Sequence, residues 1–103
     1  MTPKLSPKTT QLIEAIFNPQ EVKEASYWIE EECGNKIPFY EDRNEYELER
    51  IRFAAIKLSN GGILDLLKAI DLAQTDWRDL LMGAGFGNVK AHETWAKNML
   101  EKR

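Results

Sequence analysis

Apolar residues recur through the second half of the chain at helical rather than strand spacing. Leu48, Ile51, Ala55 and Leu58 are separated by three, four and three residues, the seam of a helix that faces another helix. Phe53 and Ile56 add a second apolar edge, which predicts a central helix over Asp42–Ser59, touched on more than one side. Asn60-Gly61-Gly62 ends it with residues that tolerate positive φ, so the chain turns back within a few residues. Ile63, Leu66, Leu67, Ile70 and Ala73 then predict a helix over Ile63–Gln74. Thr75 reads as the cap of another over Asp76–Ala84, with Asp76 and Asp79 at the positive end of its dipole and Gly85-Phe86 as a Schellman stop. A last helix is capped by Asn88 and carries Val89, His92, Trp95, Ala96 and Met99 on one face.

The first half follows the same period with clearer start signals. Residues 1–5 read as a flexible lead-in, after which Ser6-Pro7 opens a helix whose apolar face is Leu12, Ile13, Ile16 and Phe17. Asn18, Pro19 and Glu21 stand as N-cap, N1 and N3 of a capping box, and Phe17 and Val22 stand where a hydrophobic staple forms. Val22, Ala25, Ile29 and Cys33 fall on one stripe, with Trp28 on its flank and Tyr27 nearly opposite. Gly34 is the expected C-terminal stop. Pro38 excludes a helix across Lys36–Tyr40, which reads as an ordered connector folding Ile37, Phe39 and Tyr40 back over the gap between the second and third helices. The expected fold is therefore all-α, one domain over 1–103, a bundle of five or six short helices with orthogonal or irregular packing.

With 103 residues the chain can bury roughly two thirds of its unfolded surface, so it needs no staples. The single Cys33 has no partner in the chain and fits a reducing compartment. The first residues lack an apolar leader, and no apolar run approaches the ~20 residues of a membrane span, so a cytoplasmic location is expected. The net charge of −3 hides an asymmetry. Between Glu21 and Glu49 ten acids face three bases, a net −7, whereas Arg50–Arg103 holds nine bases and six acids, a net +3. Such a field repels phosphate over the middle of the chain and steers a basic partner toward it. The competing reading is that these acids are only solvated helix faces, with Arg50 and Arg52 pairing some of them.

Candidates for chemistry are few. One His and one Cys on different helices cannot fill a structural zinc site, and no calcium-loop spacing is present, so no metal or cofactor is expected. A Cys33/His92 pair would require the second and last helices to meet. Glu41/Glu45, Asp42/Glu45/Glu49 and Asp76/Asp79 meet the spacing of paired carboxylates, but helix starts favour acids for their dipole alone. The glycines of Gly83-Ala-Gly-Phe-Gly87 lack the strand and the Lys-Ser/Thr of a phosphate loop.

At Arg50–Ser59 and Thr75–Phe86 the text RIRFAAIKLS and TDWRDLLMGAGF resembles segments near the ends of small bacterial helical proteins with no assigned activity. The resemblance implies a compact helical fold and a bacterial cytosolic setting, and carries no functional residue. Aromatic anchors rimmed by acids suit a protein-binding patch. The expectation is thus a non-enzymatic interaction module of a regulatory, inhibitor or immunity type, which engages a basic protein through Tyr27, Glu31, Tyr40, Glu45 and Glu49. Trp77 and Trp95 are expected to be half-exposed. The alternative is a DNA-associated regulator using Lys90, His92, Lys97, Asn98, Lys102 and Arg103 of the last helix. The second apolar edge of the central helix also admits a homodimer.

Overall fold

Ser6 is extended (ψ 158°), and its hydroxyl accepts the Thr9 N–H at 3.2 Å, so helix α1 (Pro7–Ile16) starts where the sequence places it. The computed structural model describes residues 3–38 and 44–102, and every regular element among them is helical. After α1, Phe17 turns its ring into the core and Asn18 is extended, as a helix entrance requires. The capping box does not form, however. The Asn18 carbonyl accepts the Glu21 N–H at 2.8 Å, which winds Pro19–Glu21 into a 3-10 turn and delays helix α2 to Val22–Glu32. Phe17 is buried and Val22 packs against the core, but Val22 is the first residue of α2 and not the fourth, so the expected staple positions are not occupied.

Helix α2 also ends differently from expectation. Gly34 does not take a left-handed conformation. The last carbonyls of α2 are capped instead by side chains from elsewhere in the fold: Arg52 donates to Glu30 O at 3.3 Å and to Cys33 O at 2.8 Å, and Gln74 donates to Glu32 O at 2.8 Å. Ile37 of the connector is buried, as expected; Phe39, Tyr40 and the expected helix start at Asp42 lie outside the described residues.

The central helix α3 spans Glu45–Ser59, with Asn44 as its cap, accepting the Glu47 N–H at 2.8 Å. Asn44→Ala is expected to cost about 1 kcal/mol, seen as a fall in Tm of roughly 5 °C in a thermal melt. From Ile51 to Ile56 every residue is buried, so α3 is enclosed on all sides, and Phe53 and Ile56, the second apolar edge, are covered within the chain. Asn60 (φ 49°) and Gly61 (φ 82°) then reverse the direction.

The two expected helices beyond this turn are limbs of one element, α4 (Ile63–Ala84), kinked at Asp76 (φ −152°, ψ 86°). Asp76, not Thr75, caps the second limb: its Oδ1 accepts the N–H groups of Arg78 and Asp79 at 3.2 and 3.4 Å. The Thr75 hydroxyl is turned back onto the Asp71 carbonyl at 2.8 Å. Gly85 (φ 79°) closes α4, and Phe86 N–H donates to Leu81 O at 2.8 Å with its ring buried, the Schellman stop read from sequence. Asn88 forms a turn ahead of the last helix, its Oδ1 accepting the Lys90 N–H at 2.9 Å, so α5 begins later, at Ala91–Glu101. Val89 is consequently exposed rather than part of the apolar face.

Helices α3 and α4 share the largest interface; α1 packs on α2, α3 and α5, while α5 rests on α1 and α3. The Cα radius of gyration is 12.2 Å, close to the ~13 Å of a close-packed chain of this length. No helix among the described residues is long and apolar enough to cross a membrane.

Candidate interaction surface

The cations of α3 set the electrostatics of the surface. The sequence suggests that Arg50 and Arg52 pair with neighbouring acids; in the structure both donate to backbone carbonyls. Arg50 Nε donates to Phe86 O at 3.1 Å and Nη2 to Gly87 O at 3.2 Å. Arg52 is buried, and besides capping α2 it donates to Pro3 O at 2.8 Å and Lys4 O at 3.1 Å. Lys57 donates to the last α4 carbonyl, Ala84 O, at 2.7 Å and lies over the Phe86 ring. Arg52 and Lys57 meet the negative ends of α2 and α4, where carbonyls lack intrahelical partners, and Arg50 meets the turn that follows α4. The lead-in is tied down by the same means: Arg52 holds Pro3 and Lys4, and Leu5 N–H donates to Glu30 at 3.3 Å.

The acids named from sequence fall into two places. Tyr27 stands exposed on the outer face of α2, edge-on to Trp28, and Glu31 follows one turn later, half-buried, within electrostatic reach of Lys36. Lys36 itself ion-pairs with Glu32, which raises its pKa. Glu45 is exposed in the first turn of α3 with no hydrogen-bond or ion-pair partner among the described residues. Glu49 is half-buried one turn on and accepts the Ser6 hydroxyl at 2.5 Å, while Thr9 Oγ1 lies 2.8 Å from Ser6 Oγ. Because Ser6 has one proton and gives it to Glu49, the Thr9 hydroxyl donates to Ser6, and the chain of three groups ends on the carboxylate. Glu45 and Glu49 line a cleft of about 570 Å³ between the starts of α1 and α3, whose wall includes Lys4, Tyr46 and Arg52. Tyr27 and Glu31 do not line it, and Tyr40 lies outside the described residues.

The remaining candidates separate as well. Cys33 is wholly buried at the end of α2, and loss of hydration pushes its thiol up to about 12, with Arg52 pulling the other way. His92 is not on the basic face of α5; it is buried among Tyr46, Phe53 and Phe86, at ring separations of 5.0, 5.7 and 6.2 Å. Nothing in the sequence pattern marked this enclosure, apart from the position of His92 on an apolar stripe. Lys90, Lys97 and Lys102 do stand exposed. Trp77 and Trp95 are half-buried, with the Arg78 guanidinium over the Trp77 ring. Among the described residues no three His, Cys, Asp or Glu side chains gather into a group able to hold a metal ion.

Fold and surface together define a small all-α bundle whose central helix fastens the ends of its neighbours and in which no acid among the described residues is fully buried. Comparison of the chain with protein-family models, curated proteins and solved structures finds no match.

Proposed function

We propose that the protein is a non-enzymatic interaction module, of a regulatory, inhibitor or immunity type, that engages a protein with a basic surface through the acidic faces of α2 and α3. The observation that carries this reading is the division of labour along α3: Arg50, Arg52 and Lys57 reach for backbone carbonyls, while Glu45 faces water without a partner among the described residues. On α2, Tyr27 adds a rigid exposed ring beside Glu31, the combination of aromatic anchor and charged rim from which interfaces draw affinity and steering. Glu49 supports the start of α1 through Ser6, so its part is to shape the cleft beside Glu45.

Binding to a lysine-rich peptide, measured by fluorescence anisotropy across a salt series, tests the proposal. Wild type is expected to bind at low salt and to weaken as salt rises. Glu31→Lys with Glu45→Lys is expected to weaken binding at least tenfold while lowering the melting temperature by only a few degrees, the cost of losing an acid from the first turn of α3, since neither residue is buried in the core. Equal binding by wild type and the double variant, or none by wild type, would overturn it.

A further inference from the structure

Helix α5 is lightly held against α1 and α3. Only His92 and Ala96 on it are buried, and Trp95, Met99 and Leu100 pack at its margin. Its one large wholly buried side chain is thus the one that can gain a charge. Neither His92 ring nitrogen has a hydrogen-bond partner among the described residues. The ring is enclosed edge-to-face by Tyr46 and Phe53 of α3 and by Phe86 of the turn after α4. The Val89 carbonyl is close enough to favour protonation yet outside hydrogen-bond geometry, and it accepts the Tyr46 hydroxyl at 2.8 Å. A neutral imidazole brings a single N–H into this box, where the one nearby carbonyl, Val89 O, is already taken by Tyr46, whereas an imidazolium adds a second donor and a full charge with no further acceptor to receive them.

We propose that His92 is a proton-sensitive latch: neutral, it docks α5 on α1 and α3; protonated in mildly acidic solution, it releases α5 while α1–α4 stay folded. The charged and titratable groups around it are Tyr46, Glu49 and Arg50 from α3 and Glu93 from α5 itself; the turn after α4 contributes only Phe86 and the Val89 carbonyl. Burial lowers the pKa of His92 and is the largest influence; Glu93 and Glu49 oppose it and Arg50 adds to it. A histidine whose pKa is lower docked than free keeps its contribution above the free value, about 6.5, and loses it as the pH falls below that. The release bares Phe53 and Ile56 and opens the groove of about 410 Å³ that Ile16 and Ile56 form against Trp95 and Met99. Local opening of this kind is expected of an element with few buried apolar side chains.

Amide exchange resolved by helix, from pH 7.5 to pH 5.0, tests the latch. Protection of α5 amides in wild type is expected to fall by up to tenfold per pH unit below about 6.5, ahead of any change in α3 or α4. In His92→Phe, which fills the box and cannot titrate, α5 protection is expected to be independent of pH; His92→Gln, neutral and similar in length, serves if the larger ring prevents folding. Three results would overturn the proposal: constant α5 protection in wild type, a pH dependence that survives in the folded variant, or simultaneous loss of protection in all helices.

Discussion

Replacing Arg52 with alanine is expected to destabilise the protein by about 3–5 kcal/mol. Arg52 is 3% exposed and connects three segments: the lead-in through Pro3 and Lys4, the end of α2 through Glu30 and Cys33, and α3, which carries it. Removing the guanidinium leaves the buried Cys33 carbonyl and the part-buried carbonyls of Pro3, Lys4 and Glu30 without this donor, and opens a void beneath the end of α2. Arg52→Lys keeps the charge, but a single ammonium cannot reach carbonyls spread around a planar fork, so it is expected to recover less than half of the loss. Arg52→Met restores most of the volume and none of the bonds. Chemical denaturation of the three variants separates bonding from packing. If methionine proves as stable as arginine, the carbonyls do not need the guanidinium and the clamp is not what holds these segments together.

Gly61→Ala is expected to cost about 2–4 kcal/mol, from two sources acting at one atom. Gly61 has φ +82°, a region that costs a residue with a Cβ roughly 1–2 kcal/mol. A Cβ built there would also stand 2.6 Å from the Ile16 carbonyl oxygen, so the last turn of α1 would have to move away from the α3–α4 turn. Gly62 provides the control. Its φ is −103° and its Cβ would meet only ordinary contacts, the nearest at 3.5 Å from Ser59 O, so Gly62→Ala is expected to change stability by less than about 1 kcal/mol. A thermal melt of each variant checks the pair, and similar melting temperatures would show that the close approach of Ile16 does not constrain the turn.

These two residues mark how far the sequence could be read. Gly61 was legible as a turn residue because Asn60-Gly61-Gly62 follows an apolar stripe, a signal confined to a few neighbouring positions. Its approach to Ile16, 45 residues earlier in the chain, was not. Arg52 read as a surface base one or two turns from acids on its own helix. Its true surroundings come from the lead-in and α2, brought beside it by the packing of their apolar faces. The same holds for the candidate surface. The exposure of Tyr27 followed from its place opposite the apolar stripe of α2, whereas the cleft that joins Glu45 and Glu49 to the start of α1 depends on how α1 crosses α3.

What the sequence determined by itself was local: the helical period, the central place of α3, and the ends marked by Ser6, Asn60 and Gly85, because each depends on residues within one or two turns. The delayed starts of α2 and α5 and the transfer of the cap from Thr75 to Asp76 are local competitions between near-equal caps, which sequence alone could not rank. The tertiary structure decided the rest. It turned the α3 cations to the carbonyls at the end of α2, the end of α4 and the turn that follows α4, sealed His92 inside an aromatic box and left Glu45 in water. Orphan carbonyls and buried rings take whatever donors and partners the packed chain brings within reach, and that reach is set by how the helices cross.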